Sequence, residues 1–343
     1  MRVQGFVNYK AFIQIATLAA CGAYLLFLSY TSRDSSNSLL DLENAAISPP
    51  VLNDLNKHYW RQEESYADCY RSASDPTSVY QTLSLRTSVG PITFKIHSYE
   101  NDDTMSRRFQ GNSASYFDPV KQIVIQLEKY RAKKGLSKRS QVTFVDIGAR
   151  FGWYSTVIAS LGYQVLSFEP LPSSRAILKK NRCEFKSRFP ENKWFVFNVA
   201  LGSKRQSCRM FSSDTDMSNS HVVCERQVIA PGGFSDRGDV PVERLEAMIT
   251  PSLLSSLNIG SIRIDAGNDL KAVIDGGLSL FKNRDIKHVS IQYPTQGKDN
   301  IDQIKWFYDF LSLNGFTLSK TVGGNPFSLA AVQARRDIVA WRE

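Results

Sequence analysis

VTFVDIGARFGWYSTVIASLGYQVLSFEP, residues 142–170, is the stretch around which the rest of the chain is organised. Val142, Phe144, Val145 and Ile147 form an apolar run that ends with Asp146 and Gly148, turns tightly through Gly152 and resumes as an apolar segment from Tyr154 to Leu161. That pattern predicts strand, glycine turn and helix. A second apolar run, Val165 to Phe168, stops at Glu169 and Pro170, because proline has no N–H to give a sheet ladder. The unit is βαβ. Gly148 and Gly152 allow a ligand to lie against the turn and the first N–H groups of the following helix, where a Cβ would block it. Glu169 follows Asp146 by 23 positions and falls at the end of the neighbouring strand, where an acidic side chain accepts hydrogen bonds from both hydroxyls of a ribose.

The turn does not read G-x-G-x-x-G, so the dinucleotide fingerprint is not met. DIGARFGWYS followed by VLSFEP instead resembles the FkbM-type family of S-adenosylmethionine-dependent methyltransferases, whose opening motif looks like D-x-G-A-N-x-G-x-Y-S and whose second strand ends in F-E-P. The resemblance extends over about Gln141 to Arg342. It implies a doubly wound, mostly parallel seven-stranded α/β sheet, Rossmann-like, with S-adenosyl-L-methionine as cofactor and O-methylation of sugars or hydroxylated natural products. The cofactor residues it implies are Asp146, Gly148, Ala149, Arg150, Gly152, Glu169 and Pro170. NVALG, residues 198–202, looks like the family's third-strand motif and adds Asn198, Val199 and Ala200 beside the adenine.

IRIDAGND, residues 262–269, stands where the family's segment resembles L-K-I-D-x-E-G. Asp265 is kept and is the nominated residue near the methyl acceptor, as base or orienter. Arg263 replaces a lysine, the family's glutamate falls on Gly267 and its glycine on Asn268, and Asp269 is a partial substitute for the missing carboxylate. Two further departures are Arg150, where the motif has asparagine, and Gln292, where a strand of the family often ends in glutamate. A guanidinium at Arg150 matches the cofactor's methionine carboxylate bidentately, and it is also large enough to close the site.

The chain of 343 residues, 42% hydrophobic and 22% charged, is long enough for a substantial core in one or two domains. Its net charge of +9 is spread without a polybasic run, which argues against a nucleic-acid partner. Residues 11–30, AFIQIATLAACGAYLLFLSY, carry no charge and span roughly 30 Å as a helix, enough to cross a bilayer. Arg2 and Lys10 precede them, so the positive-inside bias places 1–10 in the cytosol and the remainder in the lumen of the Golgi or endoplasmic reticulum, as a single-pass type II signal anchor. A cleaved signal peptide is the competing reading. Residues 31–51 read as a flexible stem, 52–140 as an extension packing on the core, and 141–343 as the catalytic domain.

Within the extension, Asn53 to Tyr70 reads as a docking helix and Val79 to Ser98 as a hairpin broken at Gly90-Pro91. Val120 to Ala132 is a helix expected to pack on the first strand of the βαβ unit, with Asp118 as its N-cap and Pro119 at its first position. Farther on, helices are expected at 173–182, 240–249 and 301–314, and strands at 194–200, 207–211, 222–229, 260–265, 287–292, 316–320 and 337–341, the last two as an antiparallel edge pair. Cys69, Cys183, Cys208 and Cys224 allow up to two disulfides in an oxidising lumen, with Cys208 and Cys224 the better pair because their strands form a hairpin. Four scattered histidines and no Cys/His spacing point to no metal.

Two functions follow from these residues. One is a membrane-anchored O-methyltransferase acting on a glycan, small-molecule or lipid-linked hydroxyl. The other is a catalytically degenerate member that keeps the fold as a binding or scaffold module, prompted by Arg150, Gly267 and Gln292.

Overall fold

The computed structural model describes residues 78–99, 106, 117–189, 193–216, 219–224, 230, 232–283, 285–292, 301–333 and 337–343, all within one compact unit, Pro49–Glu343. The anchor, the stem and the docking helix expected at Asn53 to Tyr70 lie outside the described residues; no described helix is long and apolar enough to cross a membrane.

The opening stretch folds as β3 (Thr143–Ile147), α2 (Trp153–Ser160) and β4 (Gln164–Phe168). After it come α3 (Pro172–Arg188), β5 (Trp194–Phe197), β10 (Ile259–Ile264), β11 (His288–Gln292), α8 (Ile301–Leu313), β12 (Thr317–Ser319) and β13 (Asp337–Trp341). The seven strands form one sheet in the order β12-β13-β11-β10-β3-β4-β5. All run parallel except β13, which is antiparallel to both β11 and β12. This order, with a single reversed strand next to the edge, is that of the class I methyltransferase fold. Every residue of β3, β4 and β10 is buried, as expected of central parallel strands covered on both faces.

The N-terminal hairpin, β1 (Ser78–Thr87) and β2 (Gly90–Tyr99), turns at residues 88–89 and not at Gly90-Pro91, since Thr87 pairs with Gly90 and Arg86 with Pro91. Pro91 sits in a two-stranded ribbon, where a missing N–H is tolerated. The hairpin is stapled to the core through Asn181 on α3, which accepts from the His97 N–H at 2.6 Å and donates to the carbonyls of His97 (3.0 Å) and Phe151 (2.6 Å). Phe94 meets Trp153 at 5.9 Å, and the Tyr99 hydroxyl meets Ser174 Oγ at 2.6 Å.

Helix α1 (Phe117–Lys133) buries Val120, Ile123, Val124 and Leu127 completely. It lies over β10, the neighbour of the expected strand β3, because Gly260 leaves room: a Cβ there would meet Leu127 at 3.0 Å and Tyr130 at 3.3 Å. Asp118 is inside the first turn, exposed and 3.6 Å from Lys121, so it does not act as the expected cap.

A second sheet interrupts the alternation after β5. It consists of β6 (Ala200–Leu201), β7 (Gln206–Ser213), β8 (Ser220–Val223) and β9 (Phe234–Glu243), in the order β6-β9-β7-β8. It contains the hairpin expected around 207–211 and 222–229, whereas its strands β6 and β9 are unexpected from the sequence. The helix expected over 240–249 is half strand: Val240 to Glu243 closes β9, and only α4 (Leu245–Met248) is helical. Val240 and Val242 point inward beside Met210 and Cys208, and this burial on a strand outweighs the helical propensity of the window. Cys208 is bonded to Cys224 across the β7–β8 hairpin. Cys183 is also disulfide-bonded. Three short helices, α5 (Pro251–Leu257), α6 (Leu270–Asp275) and α7 (Leu278–Lys282), flank β10 in sequence, and α9 (Leu329–Gln333) precedes β13.

Candidate functional site

The turn from β3 into α2 is built on three left-handed residues, Gly148 (φ 75), Arg150 (φ 54) and Gly152 (φ 90). Gly148 and Ala149 both donate their N–H groups to the carbonyl of Phe168, at 3.0 and 3.1 Å, which ties the turn to the end of β4. A Cβ on Gly148 would lie 2.1 Å from the Asp265 carbonyl oxygen, and one on Gly152 would lie 2.3 Å from Leu178 Cδ1. Gly148 therefore needs glycine for backbone conformation and for space, and Gly152 for its left-handed backbone. Gly152 opens α2, whose first N–H groups have no acceptor within the helix.

A row of buried charges crosses the carboxyl end of the sheet. Asp146, fully buried on β3, accepts from Ser155 Oγ at 2.6 Å and from Arg263 at 3.1 Å. Arg263, on β10, reaches Asp265 at 2.9 Å and Gln292 at 3.1 Å, and its guanidinium lies 4.1 Å over the Tyr154 ring. Asp265 also receives two donors from Arg150, Nε at 3.0 Å and Nη2 at 3.3 Å. Burial opposes charge on Asp265, but Arg150 and Arg263 outweigh it and hold its carboxyl below the usual range. A carboxylate held by two guanidiniums orients its neighbours; its low proton affinity makes it a poor base.

Glu169, 4% exposed, accepts from the Arg150 N–H at 2.7 Å and from the Leu171 N–H at 2.9 Å. Burial pushes its carboxyl up to about 7, against the pull of those two donors and of Arg150. One bond to each oxygen leaves acceptor capacity on both, since an ionised carboxylate offers about four lone-pair positions. The residues therefore fit an adenosyl cofactor: a glycine cradle, a helix start and a carboxylate able to take two more hydroxyl donors. Glu169 would hold the ribose side of such a group.

Asp146, Gly148, Ala149, Arg150, Gly152, Glu169 and Asp265 are thus brought together by direct contacts. The carbonyl of Pro170 accepts from Arg175 at 3.0 Å, and Arg175 also bonds Asn198 Oδ1. Asn198 is exposed just past β5, Val199 is buried, and Ala200 is paired with Val242 in the second sheet, so within the NVALG motif Asn198 alone offers an exposed side chain.

At the family's glutamate position, a Cβ on Gly267 (φ 56) would have nothing within 4 Å, so the position itself is open. The side chain of Asn268 lies outside the described residues. Burial pushes the Asp269 carboxyl up to about 6, with no charged neighbour contributing. Gln292 is not idle: it accepts from Arg263.

Sequence reasoning passed over the chain behind Asp146. Trp194 donates to Ser167 Oγ at 2.8 Å, Ser167 meets Ser155 at 2.8 Å, and Ser155 reaches Asp146. The available signal was polar serines inside otherwise apolar strand and helix runs, at Ser167 and Ser155. Among the described residues, no group of histidine, cysteine or carboxylate side chains is arranged to hold a metal ion.

No protein-family model and no curated protein matches the chain. Among solved structures it is similar to the methyltransferase FkbM from Methylobacillus flagellatus KT, at 12% identity and a TM-score of 0.37, over 58% of this chain and 43% of that one. It is also similar to a precorrin-6y C5,15-methyltransferase from Geobacter metallireducens GS-15, at 14% identity and a TM-score of 0.30, over 64% and 87% of the two chains. A third is a protein of the NADB-Rossmann superfamily from Streptococcus agalactiae, at 16% identity and a TM-score of 0.30, over 63% and 67%. The chain thus spans less than half the length of the FkbM structure, and the fold assignment rests on strand order and direction.

Proposed function

We propose that the protein is an S-adenosylmethionine-dependent methyltransferase that O-methylates a hydroxyl of a glycan or of another secretory-pathway or lipid-linked substrate. The observation that carries this is Glu169: a buried carboxylate at the end of β4, tied to the glycine turn and holding acceptor capacity for a ribose diol. When bound, the cofactor supplies an electrophilic methyl group, and in-line placement of the acceptor then does most of the chemical work. On the protein side, Asp265 keeps Arg150 and Arg263 in place. Asp265 is committed to two cations, so it orients these groups and does not take the acceptor's proton. The apolar segment 11–30 as a type II anchor, with the domain in the lumen of the Golgi or endoplasmic reticulum, is part of the same reading; the Cys208–Cys224 disulfide supports an oxidising compartment.

The second reading, a degenerate member serving as a binding module, is favoured by one feature: the Arg150 guanidinium sits on Asp265 inside the site. Incubating the purified chain with methyl-labelled S-adenosylmethionine and a panel of hydroxylated glycans separates the two. Label on any acceptor, lost in Glu169→Gln, is the expected result. Cofactor binding with no label transferred across the panel favours the binding module.

A further inference from the structure

Arg150 is anchored twice. Its N–H is held by Glu169 and its guanidinium by Asp265, across a left-handed backbone that a side chain adopts only at a cost. The two cations that share Asp265 are not equivalent. Arg263 is buried, its side chain 4% exposed, whereas that of Arg150 is 22% exposed and forms the outer end of the charge row. Asp265 Oδ2 accepts from both, at 3.0 Å from Arg150 and 2.9 Å from Arg263. If Arg150 swings away, Asp265 therefore keeps a guanidinium partner, and no buried charge is left unpaired.

We propose that Arg150 is the receptor for the carboxylate of the cofactor's amino-acid end, and that Asp265 occupies this receptor in the free protein as an internal stand-in. The inference rests on the cofactor reading above. Glu169, the proposed ribose acceptor, is bonded to the Arg150 N–H, so the Arg150 side chain springs from the residue next to the proposed ribose position. Binding exchanges one carboxylate for another on the same guanidinium, a two-point match that lysine or asparagine does not reproduce. Arg150 is then a specificity residue for ligands that carry an amino-acid tail.

The test compares S-adenosylhomocysteine, which has the carboxylate, with methylthioadenosine, which keeps the adenosine and lacks that tail, by calorimetry on the full chain. Arg150→Asn suits the comparison because asparagine tolerates a left-handed backbone. The expected result is that R150N weakens S-adenosylhomocysteine by roughly 10- to 100-fold, the range for a lost hydrogen bond to a charged group, and leaves methylthioadenosine within about threefold. The unchanged second ligand also shows that the variant is folded. Asp265→Asn, which removes the competing internal carboxylate, is expected to tighten S-adenosylhomocysteine several-fold. Equal weakening of both ligands in R150N, no weakening of either, or weaker S-adenosylhomocysteine binding in D265N overturns the proposal. If neither ligand binds the unmodified protein, the cofactor reading itself falls, and this inference with it.

Discussion

The main-chain N–H of Arg150 donates to Oε2 of Glu169 at 2.7 Å, so the turn after β3 and the acid after β4 form one rigid corner. Because burial pushes Glu169 up to about 7, its protonation changes within the working range. The sign follows from its raised value. Glu169 contributes stability that is fully present below the unfolded carboxyl range, about 4.3, and lost as pH rises through about 7. Ribose hydroxyls donate best to the ionised form, so ligand affinity runs the other way. Binding of S-adenosylhomocysteine is expected to strengthen with pH, by up to about tenfold per unit below 7, and to level off above it. Glu169→Gln should abolish the dependence; calorimetry between pH 5.5 and 8 reads it, and a flat profile in the unmodified protein counts against the role.

Gly148 and Gly267 separate two costs of replacing a left-handed glycine. At Gly148 an added Cβ meets a main-chain oxygen at 2.1 Å as well as an unfavourable φ; at Gly267 it meets only the φ. Gly267→Ala is expected to cost about 1–2 kcal/mol, the strain alone. Gly148→Ala should exceed about 3 kcal/mol, since the backbones of the turn and of Asp265 must move apart. Urea unfolding of the two variants checks the order, and equal losses would contradict the close approach.

Removing Arg263 strips the cationic partner from Asp146 and one of the two from Asp265. Arg263→Met is expected to destabilise the fold by about 3–5 kcal/mol, the usual cost of leaving buried charge uncompensated. Ser155→Ala removes one bond to Asp146 and should cost about 1–3 kcal/mol. Thermal unfolding distinguishes them; a mild R263M effect would mean that the charge row is solvated.

His288 lies buried at the start of β11, with Nδ1 2.8 Å from Ser261 Oγ and Nε2 without a partner among the described residues. Burial pushes it down to about 3. Its neutral form therefore adds stability that is complete above the unfolded value near 6.5 and declines as pH falls toward 3. This trend opposes that of Glu169 in the acid range, so each is read as a difference between variant and unmodified protein. His288→Gln should flatten the loss of stability between pH 6.5 and 5 in urea titrations; an unchanged slope would show that His288 is not its source.

The framework of the sheet was legible because it is local. The spacing of Gly148 and Gly152, the apolar runs on either side and Pro170 specify strand, turn, helix and strand within a short stretch. The long strand β9 that completes the second sheet was hidden for the opposite reason. Leu245, Glu246, Ala247 and Met248 are strong helix formers, and only the pairing of Val240 with Cys208 and of Val242 with Gln206 reveals that the preceding residues are a strand. The site divides the same way. Asp146 and Glu169 stand out in the motif, whereas the bond of Arg263 to Asp146 joins residues 117 positions apart and has no local signature. Arg150 was visible as a departure from a motif, but its two-point hold on Asp265 depends on where β10 lies beside β3.

The most direct measurement is titration of the full chain with S-adenosylhomocysteine by calorimetry at pH 7.5, alongside Glu169→Gln. Saturable one-to-one binding that weakens by roughly 10- to 100-fold in E169Q is the predicted result. Absence of heat and of competition with labelled S-adenosylmethionine, in a protein shown to be folded, would contradict the assignment of the β3–α2 turn and Glu169 as a cofactor site.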